Sequence, residues 1–311
     1  MAVRCGALSL GASGSSYSYL EKGGWQASLA YRWLHSDRHF IDDSEQPERQ
    51  ENGSEVINDV HTFDVTLTYA ITKRVSTAVT IPFIHQNRSS LYEHDRTNRH
   101  SMNGSGLGDV RLMGYCWLFS PDKHTEGNVA LGLGVKFPTG DYKKVDYRYR
   151  ATGRELAYVD NSIQPGDGGW GAILEIQAFQ KLFERTFAYM NGTYLLNPEN
   201  QTDIGNSIWD SYLGRLGVAY AIWPSKGLSV SLGVRGEGVP PEDAIGKSEG
   251  RRRPGYAISV EPGLTWSHRK VSWSISAPVA LYRYRQNNFQ GNPGDAAFAD
   301  FIILTSVTYR F

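Results

Sequence analysis

The chain has 311 residues, with 32 basic and 32 acidic side chains, 12% aromatic residues and 33 glycines. Balanced charge gives no electrostatic footprint for nucleic acid, so no nucleic-acid partner is expected. No apolar run approaches the roughly 18 residues of a spanning helix, which excludes a helical membrane protein but not a membrane barrel, where only alternate residues need be apolar.

Residues 1–23 carry one Arg and a short, broken apolar patch. They lack the apolar core of a secretory signal, which weighs against export unless a leader is already gone or the start is misplaced. Residues 1–23 are expected to form a short periplasmic segment and residues 24–311 a single barrel domain. Cys5 and Cys116 are too few for a disulfide framework and have no metal-site spacing; whether they pair is left open.

From Trp25 onward apolar residues alternate. "GWQASLAYRWL" places Trp25, Ala27, Leu29, Tyr31 and Trp33 on one face and Gln26, Ser28, Ala30 and Arg32 on the other. The same plan gives Phe63, Val65, Leu67 and Tyr69 opposite Asp64, then Val75, Val79, Ile81 and Phe83. Leu131, Leu133 and Val135 follow opposite Lys136, and Trp170, Ala172, Leu174 and Ile176 opposite Glu175 and Gln177. Further on, Leu216, Val218 and Tyr220 oppose Arg215, and Val230, Leu232 and Val234 oppose Arg235. Tyr256, Ile258, Val260, Leu264 and Trp266 oppose Glu261, and Val271, Trp273 and Ile275 oppose serines. Period-two runs of this kind argue for strands. "GDVRLMGYCWLF" and "TFAYMNGTYLL" carry bulky residues on both faces, so their facing is not assigned. The last stretch, "FIILTSVTYRF", alternates up to Phe311 itself. Ends of chains usually fray unless tied down, so this strand reads as the seam that closes a barrel onto its first strand.

About twelve strands result, each near the 9–11 residues that cross a bilayer at a tilt. Connections alternate between short (72–74, 121–127, 181–185, 224–227, 267–270) and long and polar (37–58, 86–105, 138–168, 197–211, 238–255, 284–297). Short turns at one end and long loops at the other are the outer-membrane pattern, and Trp and Tyr near the ends of apolar faces fit its aromatic girdles. The predicted fold class is therefore all-β: a closed antiparallel up-and-down transmembrane β-barrel, in the cell outer membrane.

With apolar faces toward lipid, the interior receives Arg32, Asp64, Arg111, Lys136, Glu175, Arg215, Arg235 and Glu261. These are the expected pore-lining residues, with Arg32 and Asp64 the expected cross-strand pair. A hydrated lumen is simpler than a dry core, where each ionised group costs several kcal/mol unless paired. Twelve strands lie between the side-chain-filled interior of eight and the open channel of sixteen. The leading expectation is a channel for a small-molecule solute through a charged lumen; the alternative is a non-conducting barrel serving as an anchor or sheath. Loop 138–168, rich in Tyr and mixed charge, suits a constriction or lid, or else a solvated surface loop.

No enzyme is expected. His35 precedes Ser36 and His85 precedes "QNRSS", but neither spacing yields a nucleophile, base and orienting group. "GSGLGD" has no helix after it and is not a phosphate loop. Asp141, Asp146, Asp160 and Asp167 lack EF-hand spacing, so no cofactor or metal is assigned.

"GLGDVRL" (106–112), "KFPTGD" (136–141) and "IQPGDGGW" (163–170) together resemble the outer-membrane protein family named for the meta pathway of phenol degradation. The matching block spans roughly residues 104–178. The resemblance implies an outer-membrane barrel, a channel or transporter for small, aromatic compounds, and carries over no catalytic residue. The terminal Phe311 also resembles the signal by which barrel-assembly machinery reads outer-membrane proteins. That machinery and the outer-membrane lipids are the expected partners.

Overall fold

The computed structural model describes residues 19–288, 290–292 and 294–311. Cys5, and with it the question of its pairing with Cys116, lies outside the described residues, as does most of the 1–23 segment. Alternating β-branched and aromatic residues build β1 (Trp25–Ile41), β2 (Ser44–Glu45), β3 (Ile57–Ala70), β4 (Val75–Ser90), β5 (His100–Leu107) and β6 (Arg111–Trp117). There follow β7 (Gly127–Lys136), β8 (Val145–Arg150), β9 (Gly153–Tyr158), β10 (Gly171–Phe183), β11 (Thr186–Leu196) and β12 (Ser211–Trp223). The last are β13 (Leu228–Val239), β14 (Gly255–His268), β15 (Val271–Ser276), β16 (Val279–Arg285) and β17 (Ala296–Arg310).

Successive crossings of the wall pair antiparallel, β1 with β3, β3 with β4 and β7 with β10 among them, and β17 returns to β1 in register from Gln26↔Arg310 to Phe40↔Ala296. Trp25 and Phe311 exchange both backbone hydrogen bonds at the seam, at 3.2 and 3.1 Å. The barrel is closed. It makes twelve crossings, because β5 and β6 form one broken crossing and β15 and β16 another. Both breaks face a proline, which has no N–H for the ladder: Gly108 N–H donates to Pro82 O (2.8 Å) and Ala277 N–H to Pro262 O (3.1 Å). Outside the wall's crossings lie β2 and the separate β8–β9 hairpin.

The apolar rows face outward. Leu29, Phe63, Val65, Leu133, Leu216, Leu232, Val234 and Val307 are all exposed, Leu216 by 61%. Aromatics rim both ends of this band: Trp25 against Tyr69 (centroids 4.7 Å apart) at the short-turn end, and Phe137 against Trp170 (5.2 Å) at the other. A closed wall that is greasy outside and polar inside has one solvent that suits it. The chain is an outer-membrane β-barrel.

The two segments of unassigned facing now resolve. Met113 and Tyr115 of β6 and Tyr189 and Leu195 of β11 point inward and are buried, while Leu112 and Met190 point out. Three strands also run further than the alternation shows. β1 reaches Ile41, β4 reaches Ser90 and β5 begins at His100, inside stretches expected to be loop. In these extensions the inner face buries polar side chains such as Ser36, Gln86, Arg88 and Ser90 under the loops, so the ladder continues without an apolar row to betray it.

Candidate functional site

The interior holds a chamber lined by Arg32, Asp64, Arg111, Lys136, Glu175, Arg215 and Arg235, with empty space of about 1850 Å³ including its opening. Glu261, the eighth expected residue, is buried behind Arg215, which grips it with two hydrogen bonds of 2.9 and 2.5 Å. Ser276 Oγ also donates to Glu261, at 2.9 Å. Arg235 Nη2 donates to Glu237 Oε2 (2.9 Å), and Lys136 forms an ion pair with Asp167. The pair expected between Arg32 and Asp64 is not the one formed. Asp64 pairs with Arg111 at 3.0 Å, and Arg32 reaches Thr62 Oγ1 at 3.5 Å. Tilted strands bring side chains from different rungs to one height, so sequence register alone misplaces such pairs. Glu237 was missed although it shares the inward parity of Arg235; Asp167 lies in a loop, where no parity speaks.

One sector of this interior is apolar. Ala78, Met113, Tyr115, Ile173 and Leu195 cluster there, and Tyr115 Oη donates to Glu175 Oε2 at 2.9 Å. Gly132 of β7 is required by this packing, because a Cβ there would come within 2.7 Å of the Tyr115 ring. Toward the short-turn end the lining becomes hydroxylic, with Ser28 against Thr308, Thr66 against Thr80 and Ser274 against Ser306, each at 2.9 Å.

The three motifs of residues 106–112, 136–141 and 163–170 meet at one point of the wall. Asp109 is the tie: its carboxylate accepts from Gly140 N–H (3.0 Å) and from Asp167 N–H (3.1 Å). Thr139 Oγ1 accepts from Val110 N–H and donates to Gly108 O, at 2.8 and 3.0 Å. Gly140 and Gly166 pack backbone on backbone, and a Cβ on Gly140 would stand 2.7 Å from Gly166 Cα. The two ends of loop 137–170 are thus fastened to the break between β5 and β6, each motif supplying one part.

From that base the loop divides. The β8–β9 hairpin is largely exposed, while residues 159–167 turn inward; Ile163 and Gln164 are fully buried. Asp160 accepts two hydrogen bonds from Arg253, at 2.7 and 2.9 Å, and lies 3.9 Å from Arg88. Arg88 also holds Glu93, Asn58 and Tyr92 at 2.9–3.1 Å. The neighbouring loops are cross-tied: Asn200 with Glu249, Lys143 with Asp203, and Arg252 Nε with Ser207 Oγ at 3.3 Å. The long loops make a roof.

On the outer wall, rungs Tyr31–Phe63–Phe83, Trp33–His61–His85 and His35–Asp59–Asn87 pass from aromatic to imidazole to polar. Asp59 holds Trp33 (2.7 Å), His35 (3.0 Å) and His61 (3.4 Å). Strand pairing brings Ser105 to 2.7 Å from His85 Nδ1, a contact sequence spacing could not show.

No family model and no curated protein matches the chain. Among solved structures it is similar to the COG4313 outer membrane channel from Pseudomonas putida F1, at 15% identity and a TM-score of 0.60, covering 94% of this chain and 97% of that one. It is also similar to the β domain of the Bordetella autotransporter BrkA (13% identity, TM-score 0.48, 93% and 100% covered). The translocator domain of NalP from Neisseria meningitidis aligns at 12% identity and a TM-score of 0.47, with 94% and 90% covered. Only the first of these three is near enough in geometry to speak for a shared fold, and at that identity it speaks for the fold alone.

Proposed function

We propose that this barrel is a channel for small solutes, polar or aromatic, which pass the charged and partly apolar lumen between Arg32, Asp64, Arg111, Lys136, Glu175, Arg215 and Arg235, with Glu261 behind Arg215. The observation that carries the reading is the chamber itself, with ionic pairs on one side and an apolar sector on the other. A lumen serving only as filling would not need the spared volume. The three-motif likeness to the phenol meta-pathway family and the likeness to a solved outer membrane channel support transport over chemistry. In this reading residues 1–23 are periplasmic, outer-membrane lipids surround the wall, and Phe311 addresses the assembly machinery.

Planar-bilayer recording tests it. Arg215→Gln with Arg235→Gln removes two lumen cations and shifts the reversal potential toward cation selectivity; Glu237→Gln with Glu261→Gln shifts it the opposite way. Opposite signs exclude a common folding defect as the cause. A wild-type bilayer that stays sealed overturns the channel and leaves the anchor or sheath.

A further inference from the structure

Gln164 fastens the inward segment to its own hairpin: its amide accepts from Lys144 N–H (2.9 Å) and donates to Val159 O (3.0 Å) and Lys144 O (3.3 Å). Residues 144–164 are therefore one compact body, in the manner of a loop packed on its own side chains. Its base is the Asp109 tie, next to Gly168 at φ +84°. That backbone conformation is open to glycine and strained for most other residues, which suits the base of a moving element. Pro165 and Asp167, at the end of this body, line the top of the chamber.

What holds the body down is mostly polar. The apolar share is Val159 and Ile163 against Met102. The remainder is Asp160 with Arg253 and Arg88, Asn161 with Ser207 O (3.4 Å), and Gln86 with Gln164 O (3.3 Å). Contacts of this kind are directional and exchangeable with water, so the seat is stable when complete and loosened by the loss of one partner. Ile163 O also lies where any side chain on Gly104 would begin, so the wall itself leaves room for the seated body only because residue 104 is glycine.

We propose that residues 159–168 are a gate over the extracellular mouth, latched shut by the Asp160 carboxylate in the grip of Arg253 and Arg88. The proposal rests on the channel reading and deepens it, naming what controls access to the chamber. Asp160→Asn weakens the latch, and Gly104→Ala unseats the body without touching a charge. Asp122→Asn, at an exposed ion pair with Lys73 in the short turns at the opposite end of the barrel, serves as a control.

Two readouts separate the gate from the channel. In a Cys5→Ser, Cys116→Ser background, an Ile163→Cys reporter is labelled slowly by an impermeant maleimide; Asp160→Asn and Gly104→Ala each raise the rate on the order of tenfold or more, as expected for loss of a charge-assisted bond or a seat. The same two substitutions, without the reporter, raise mean single-channel conductance, and the control changes neither readout. Unchanged labelling overturns the gate. So does faster labelling with unchanged conductance in a barrel that conducts. Faster labelling in a barrel that never conducts supports the moving latch and overturns the channel reading instead.

Discussion

Asp160 shows how much one side chain contributes at the mouth. Burial alone would raise its carboxyl, but the Arg253 guanidinium, then that of Arg88, outweigh burial and hold it well below the usual carboxylate range. The sign of the linkage follows. A carboxyl depressed in the folded state contributes stability that is fully present above its unfolded value near 3.9 and is lost as the pH falls through the depressed value. The apparent melting midpoint of the wild type in detergent is expected to fall as pH drops below about 4. Asp160→Asn should start lower at neutral pH and fall less steeply over that acid range. Parallel curves for the two proteins would mean that the carboxylate is not held as described. The latch is the part of the site least legible in the sequence. Asp160, Arg88 and Arg253 lie in three expected loops, Arg88 72 and Arg253 93 residues from Asp160, where no period relates them.

At the scale of the strand, legibility depended on what the inward face carries. β1, β3, β12 and β13 bring Ser, Thr, Gly and single charges inward, so their outer rows stand out. β6 and β11 bring Met113, Tyr115, Tyr189 and Leu195 inward to the apolar sector, and the alternation dissolves there for that reason. Seven of the eight charged positions were readable because their parity opposed an apolar row, while Arg111 lies in the segment whose facing was not assigned; the pairing was not readable, since it depends on stagger between strands, as Asp64 with Arg111 demonstrates. The outward reading of the rows has a direct test on β12. Leu216 lies midway between Tyr212 and Tyr220, is exposed, and pairs with the exposed Val234. Leu216→Arg is expected to cost about 2–4 kcal/mol in lipid, as for a charge at the bilayer midplane. Tyr220→Arg, at the girdle, is expected to cost only about 0–1 kcal/mol from the charge. Urea unfolding in lipid vesicles compares the two, and equal costs would remove the bilayer from the explanation.

For the whole molecule the decisive feature is closure. An open edge in hydrocarbon leaves backbone N–H and C=O groups without any partner, each costing several kcal/mol, so a wall of eleven crossings is not a weaker barrel but a failed one. β17 meets β1 along nearly its full length, meets β15 on the other side, and ties at the short-turn end through Phe311 and through Arg310 Nε to Gln26 Oε1 at 3.0 Å. Removing residues 296–311 should therefore abolish folding into lipid vesicles, read as loss of the compact band on unheated gels. Removing Phe311 alone deletes one residue's pair of terminal backbone bonds and one aromatic from the girdle, stacked on Tyr309 at 5.7 Å. It should leave folding into vesicles nearly intact, because the rest of the seam still closes. If Phe311 is also read by assembly machinery, the same deletion should lower the amount of barrel in cells far more than it lowers stability in vesicles. Equal losses in both settings would assign Phe311 to the seam alone, since a residue that only closes the ladder acts on the folded state wherever the barrel forms.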